Sequence, residues 1–531
     1  MSVKVETIGA VQINDNGVAH PRGLYVLFAT EMWERFSFYS MLALFTLYLR
    51  DPSQGFGWTG AQATSLYANY LMFVYASPLV GGFLADRILG YRRAVMIGGL
   101  FFMAGHGLLA IHSTFAVYAA LTCLVIGNGF FKPNVSTMVG NLYPETNALK
   151  ERAYNIFYMG INIGGLVAPI VMEVVKSRFG FHPAFAVAAF GMVISVAILW
   201  VFKNAVEAEG RDRVEQTAAA STSAGTMDAI PDRQRVLALL VVFAIVIVFW
   251  MIFNQNGSTL TFWADDNTDW SVSGTVSNSI NSFWIISLTF PLIWFWNWLA
   301  RRGKEPSTPA KMAVGMLLTA VSFFVLCFAA TAGERQQITS DMYAAGSFRI
   351  NDRVVEKLRA EGMPPDVLER IVSATDAEGR FTIYSVKFAP RIDEQTGQRV
   401  SGERQLIDAL NKVVPGQYAA HSDAILRNAY LFRVSPLWLI LAYAIISLGE
   451  LMLSPMGLSL VSKVAPLRLR GLLMGGWFVS TAIGSKLTAI GVYWEIWRQS
   501  TFFLLLGLMA LVMAGVLSVL LTRLKKAMPG V

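Results

Sequence analysis

The sequence predicts an all-α membrane protein of about twelve transmembrane helices in two six-helix bundles, with a small α+β insertion outside the membrane. Three observations predict it. Of 531 residues, 54% are apolar and only 15% charged, where soluble domains carry about a quarter charged. A mean hydropathy of +0.49 over so long a chain calls for lipid-facing surface as well as a core. Twelve stretches reach the roughly 20 apolar residues that span a bilayer, and two of the connections between them are long.

The spans read as 23–49, 62–87, 94–112, 115–139, 153–176, 183–203, 236–264, 274–300, 309–331, 435–462, 470–490 and 498–523. They divide the chain into an N-terminal six-helix bundle (1–203), a cytoplasmic linker (204–235), helices seven to nine (236–331), a periplasmic insertion (332–434) and helices ten to twelve (435–531). The linker is rich in Ala, Ser, Thr and charge and reads as a mobile connection. Inside the insertion, Arg353–Ala374 and Glu403–Val414 carry a helical pattern. Arg380–Ala389 alternates as a strand does, and Asp393–Gly397 signals a turn before a return strand.

Basic residues fall in short clusters on every second connection: Arg87, Arg92 and Arg93; Lys150 and Arg152; Arg211, Arg213, Arg233 and Arg235; Arg301, Arg302 and Lys304; Lys463, Arg468 and Arg470; then Arg523, Lys525 and Lys526. The opposite side has few, with Arg50, Lys176, Arg178 and Arg498 beside the acids Asp265, Asp266 and Asp269. The positive-inside rule therefore puts both termini in the cytoplasm. It also accounts for the net charge of +8 without a nucleic-acid partner, since the cations form no single patch. The polar first 22 residues hold no cleavable signal, so the first helix directs insertion into the membrane. Cys123 and Cys327 lie in apolar runs and suggest neither disulfide nor metal site. No nucleophile–base set, metal-ligand cluster or phosphate loop is legible, so neither enzyme nor bound cofactor is expected.

A charge at the centre of a spanning helix costs about 2.5–3.5 kcal/mol on insertion scales, so each one asks for a reason. Glu31, Glu34 and Arg35 share one face of the first helix, with two acids to one base. Lys132 in the fourth helix, after Gly127 and Gly129 and before Pro133, fits two readings equally: snorkelling to the headgroups, or partnering the unmatched acid. Glu450 lies mid-helix in the tenth span with no other acid near it, and Pro455 suggests an unwound backbone beside it. Lys486, beside Gly484 and Ser485, is equally consistent with plain packing. Tyr39, Tyr67, Tyr70, Tyr75, Asn162, Gln255 and Asn281 extend the polar set, each one alone more readily a packing hydrogen bond than a ligand contact.

These residues resemble the proton-coupled oligopeptide transporters of the major facilitator superfamily. Glu31-Met32-Trp33-Glu34-Arg35-Phe36-Ser37-Phe38-Tyr39 is similar to that family's ExxERFxYY motif. Gly81 to Arg87, with Gly90, Arg92 and Arg93, resembles the superfamily's motif between helices two and three. Phe157 to Gly164 resembles FYxxINxGS, Gly449-Glu450 through Ser454-Pro455 resembles GExxxSP, and Gly476-Trp477-Phe478 resembles the helix-eleven pattern. The resemblance implies the major facilitator fold and proton-coupled symport of di- and tripeptides. It implies a monomer in the bacterial inner membrane, with protons as the coupling ion. It further implies that Arg35 and Lys132 hold the peptide carboxylate, and that Glu450 meets the amino terminus with Asn162 and Asn281. Tyr39, Tyr70, Ser454 and Trp477 would line the site, and Glu31 and Glu34 would take up the proton. Phe38 stands where the motif has a Tyr. Leu42 and Asn254 stand where relatives often pair two charges, which puts an outer gate built on that pair in doubt. The nearest rival is another small anion or zwitterion, such as nitrate, on the same scaffold. A second is a membrane sensor that works through 332–434.

Overall fold

The computed structural model describes residues 20–143, 149–207, 230–377, 379–393, 395–416, 418–466 and 469–527. Most of the expected 204–235 linker lies outside them. Among the described residues twelve long helices form: α1 Arg22–Arg50, α2 Gly60–Leu84, α3 Tyr91–Leu109, α4 Thr114–Asn141, α5 Leu149–Phe179, α6 Phe181–Val201, α7 Asp232–Phe253, α8 Ser277–Arg301, α9 Thr308–Glu334, α10 Pro436–Val464, α11 Arg470–Leu487 and α12 Gln499–Ala527. Among the described residues nine spans are long and apolar enough to cross a membrane on length and composition; α1, α3 and α11 are not among them. α1 carries Glu31, Glu34 and Arg35 inside its apolar run, besides Arg22 and Arg50 at its ends.

Local sequence sets the helix ends. Thr59 and Gln62 form a reciprocal capping box that starts α2: Gln62 N donates to Thr59 Oγ1 at 3.1 Å and Thr59 N to Gln62 Oε1 at 3.0 Å. Two helices lose α-geometry toward the same side. After α7 a 3₁₀ turn spans Asn254–Gly257 before helix resumes at Thr259–Asp266, and α11 runs on as a 3₁₀ stretch, Thr488–Glu495. Those endings carry Asp266 and Glu495 to the insertion side. The expected unwinding beside Glu450 does not occur, because α10 stays helical from Pro436 to Val464; neighbouring helices hold its backbone in register.

In the first half α1 packs on α5 and α6, and α4 on α2 and α3; in the second, α9 packs on α10 and α12, and α7 on α11. The halves meet where α2 lies along α11 and α5 along α8. Small residues allow the closest approaches. A Cβ on Gly81 would sit 2.0 Å from the Gly129 carbonyl oxygen, and one on Gly98 would sit 2.7 Å from that of Gly127, so the glycines before Lys132 do mark close packing. Large apolar side chains such as Phe83, Phe115, Phe190, Trp200, Trp294 and Val519 face outward, as lipid contact requires.

The insertion builds its own apolar cluster around Phe348, Ile350, Leu358, Ile371, Leu406 and Leu410. Its strands are β1 Ser347–Arg349, β2 Lys387–Phe388, β3 Arg391–Ile392, β4 Arg399–Val400 and β5 Tyr430–Leu431. They form an antiparallel sheet ordered β2-β1-β5 and a separate β3–β4 hairpin. The 353–374 helical pattern resolves into two helices, Asp352–Ala360 and Pro365–Ser373, parted by Gly362 at φ +86° and Pro364. The strand expected over 380–389 shrinks to β2, because Ser385 takes φ +64° and turns the chain. Asp393 does turn a hairpin, accepting from the Thr396 amide at 2.9 Å. Helix Tyr418–Ala429, which buries Ile425 and Leu426, was not anticipated.

Candidate functional site

The face of α1 that carries three ionisable groups turns into the first half. Glu31 and Glu34 are fully buried and Arg35 nearly so. Arg35 donates from Nη2 to Glu34 Oε1 at 2.5 Å and from Nε to the same carboxylate, and its Nε lies 3.5 Å from Glu31 Oε1. Lys132, brought alongside by the α2–α4–α3 packing, donates to Glu31 Oε1 at 2.7 Å. The snorkelling reading therefore falls: Lys132 pairs, and two acids meet two bases. Its side chain is still 32% exposed, where both acids are at 0%. Phe38 lies under Arg35, with 4.6 Å from the guanidinium carbon to the ring centroid, so an apolar ring at this motif position supports the cation through its face.

On the second half, Asn281 of α8 donates to Ser447 Oγ at 2.9 Å and to Glu450 Oε2 at 3.2 Å. That carboxylate has no cation within ion-pair distance among the described residues. Tyr39 lies between the poles. A Cβ on Gly165 of α5 would sit 3.2 Å from the Tyr39 ring and 2.6 Å from Ser282 Oγ of α8. Ser279 Oγ donates to the Leu166 carbonyl at 2.8 Å at the same crossing. Tyr39 and Tyr75 are both within electrostatic reach of Arg35 on one half and Glu450 on the other.

The other sequence candidates divide. Tyr70 is buried beside Phe45, its hydroxyl without a hydrogen-bond partner among the described residues. Asn162 donates to the Tyr158 carbonyl one turn back at 2.9 Å. Ser454 is half-buried one turn along α10 from Glu450. Trp477 is buried edge-on to Phe243 and over Gly457, whose added Cβ would strike its ring at 1.8 Å. Gln255 braces the α7 distortion, donating to the Met251 and Thr488 carbonyls at 3.2 Å each and accepting from Thr259 at 2.8 Å. Tyr67 donates to the Asn254 carbonyl at 3.3 Å. Lys486 crosses between the halves to Asn69 Oδ1, more than plain packing provides.

Sequence reasoning missed a second charged cluster, on the insertion side. Leu42 and Asn254 hold no charge, and Asn254 donates to Ser485 Oγ at 2.9 Å. Eight residues beyond Leu42 on α1, Arg50 pairs with Asp266 at 3.1 Å and Glu495 at 3.2 Å, all three at 4–6% side-chain exposure. The insertion completes the cluster. The β1–β2 register sets Arg349 opposite Lys387, an unfavourable juxtaposition of like charges unless acids face them. Arg349 pairs with Asp266 at 3.0 Å, and Lys387 with Asp265 at 2.9 Å and Asp266 at 3.5 Å. Burial and the nearby Arg50 guanidinium depress the Arg349 pKa. Beside them Lys176 of α5 pairs with Glu173 at 2.8 Å and donates to Ser273 and Thr275 of the second half. The signal was present in the sequence, since Arg50, Lys176 and Asp265–Asp266 all fell on one side of the charge count.

Comparison with known proteins fits this geometry. Residues 92–213, 211–345 and 412–496 match the model of the POT family, well over half the chain. A di-/tripeptide transporter of Lactococcus lactis subsp. cremoris is 29% identical, with 96% of each chain covered. An uncharacterized transporter of Bacillus subtilis is 27% identical over the same share. Among solved structures, peptide transporter POT in complex with sulfate superposes at a TM-score of 0.70 with 25% identity and 98% of each chain covered. A mutant of peptide transporter POT in complex with alafosfalin gives 0.69, 26% and 96%. With its twelve-helix, two-bundle architecture and the acid–base cluster of α1 and α4, the chain belongs to the POT family of major facilitator transporters.

Proposed function

We propose that this protein carries di- and tripeptides into the cell together with protons, by alternating access across the bacterial inner membrane, both termini on the cytoplasmic side. The observation that carries the reading is the separation of charge between halves: a basic pole at Arg35 and Lys132, an acidic pole at Glu450, and Tyr39 between them. A zwitterionic peptide has one charge at each end and a backbone of nearly constant span. Two fixed poles therefore select length and tolerate varied side chains. The relatives named as peptide transporters support the same cargo. A simple anion such as nitrate gives the Glu450 carboxylate nothing to bind.

The ion pairs supply a coupling step. Glu31 holds Lys132 while it is ionised. A proton taken up by Glu31 breaks that pair and releases the ammonium for the peptide carboxylate, while Glu34 keeps Arg35 oriented. Each proton moved with a neutral peptide carries one charge, worth about 2.3 kcal/mol per 100 mV, or roughly fifty-fold in accumulation. Access alternates as the halves rock about this midplane site. The Arg50–Asp266–Glu495 cluster closes the insertion side and parts when that side opens.

Liposomes holding Glu31→Gln test the scheme. Gradient-driven uptake of labelled dialanine should fall at least tenfold while peptide counterflow persists. Gradient-driven uptake at the wild-type rate sinks the coupling step, and loss of counterflow assigns Glu31 to binding instead. Competition by peptides of one to four residues sets the length window.

A further inference from the structure

A further group of cations, beside the Glu495 end of the outer cluster, surrounds a cavity of about 180 Å³ where the insertion rests on the ends of α9 and α12. Glu334, Arg353, Lys357, Arg427, Tyr430 and Arg498 are among its lining residues. Four cations thus face one acid, and the acid is already engaged. Glu334 accepts from the Ser500 amide at 3.1 Å and from Ser500 Oγ at 2.7 Å, tying the end of α9 to the start of α12. Arg427 is also matched, by Glu361 at 2.8 Å. Arg353, Lys357 and Arg498 are left without a carboxylate within ion-pair distance among the described residues. Arg353 donates from Nη1 to Gln499, while its Nε is buried with no hydrogen-bond partner among them.

Such crowding of like charge is unfavourable. Burial, then the guanidiniums of Arg353 and Arg498, push the Lys357 ammonium below its ordinary range. Burial also pushes Arg353 down, with Arg498 adding to the effect. Like charges crowded around one cavity favour a counter-charge placed among them, and Glu334, Glu361 and Glu495 act on Arg353 and Lys357 only from beyond ion-pair distance. The shape of the demand narrows the ligand. Two guanidinium forks and one ammonium converge, and a tetrahedral oxyanion has enough oxygens to serve all three, where a carboxylate has two. The position narrows the source. Glu334 ends α9 and Gln499 begins α12, so the cavity lies level with the ends of two spanning helices, where phospholipid phosphates lie.

We propose that Arg353, Lys357 and Arg498 form an anion site for a phosphate-type oxyanion, supplied by a lipid headgroup or by free phosphate, which fastens the insertion to the transporter at the membrane surface. The site is independent of the cargo.

The test uses the purified full chain and the double variant Lys357→Gln/Arg498→Gln. Both side chains are exposed and have no partner among the described residues, so the fold does not depend on them. Thermal unfolding in detergent is followed against sodium phosphate, with sodium chloride at matched ionic strength. Native mass spectrometry counts phospholipid retained after delipidation and after exchange into nanodiscs containing phosphatidylglycerol. Saturable stabilisation by phosphate, needing at least tenfold more phosphate in the variant, supports the site with free phosphate as ligand. Retained phospholipid lost in the variant, without a phosphate response, supports it with the headgroup as ligand. Identical behaviour of wild type and variant in both measurements overturns the proposal.

Discussion

The central and outer ion clusters use the same chemistry toward opposite ends. Glu31, Glu34, Arg35 and Lys132 all belong to α1 and α4 of one half. Their pairs can change partners without moving any helix against the other half, and Lys132 keeps part of its side chain accessible. Arg50, Asp265, Asp266, Glu495, Arg349 and Lys387 come from the first half, the second half and the insertion. Breaking those pairs means separating bodies. Buried ion pairs add little net stability over apolar packing, yet removing one partner costs about 3–5 kcal/mol. The lesson is that a network inside one rigid body suits proton exchange, and one shared between bodies suits a latch.

Four experiments bear on that contrast. The largest effect belongs to Lys132→Ala, which leaves Glu31 buried with Arg35 at 3.5 Å as its remaining cation. Peptide uptake should fall at least tenfold, and far more than in Lys486→Ala, where an amide loses its partner; equal losses would remove Lys132 from the site. Asp266→Asn should show the converse pattern. It strips both Arg50 and Arg349 of a carboxylate. Thr46 is buried on α1 one turn before Arg50 and donates to the Gly257 carbonyl of the second half at 3.0 Å, so a cysteine there should label severalfold faster with an impermeant maleimide from the insertion side. Unchanged labelling would refute the latch.

A smaller effect separates the two insertion cations. Arg349→Ala should loosen the outer cluster more than Lys387→Ala, because Arg349 is 5% exposed and Lys387 is 21% exposed, and exposed pairs contribute less. The same labelling rates decide it; the reverse order would give Lys387 the larger share, and unchanged rates in both variants would make the insertion a bystander. The smallest effect is a pH dependence within the insertion. Hydrogen bonds from Asn428 and Arg427 hold the Glu361 carboxyl below its ordinary range. A depressed acid stabilises the fold above its unfolded value of 4.5 and loses that contribution as pH falls through the folded value. Glu361→Gln should therefore cost a little stability at neutral pH and none once the pH is below the folded value, so the acid limb of the unfolding curve flattens slightly; an unaltered acid limb removes Glu361 from it.

Helix count, the α1 motif and the mid-helix Glu450 were legible because membrane spans are long apolar runs and a charge inside one stands out. Within the insertion, helix Gly402–Val413 was legible from its strong amphipathic period, whereas two-residue strands such as β2 offer no alternation to read. Lys132 illustrates the limit inside the membrane. Its spacing was compatible with lipid or with Glu31, and only the α2–α4 contact at Gly81 and Gly129 brought the ammonium to the carboxylate. Gln255 and Trp477 read as polar or aromatic candidates, yet their neighbours hold them in packing.

The sequence by itself determined that charges are kept in apolar helices, how many helices there are, and which family motifs they carry. Tertiary structure decided which charge meets which. Arg50, Asp266 and Arg349 are separated by 216 and 83 residues along the chain, and no local pattern links them. Coulomb attraction depends on distance in space, and that distance is set only when the halves close and the β1–β2 register turns both insertion cations onto Asp266, with Asp265 also meeting Lys387.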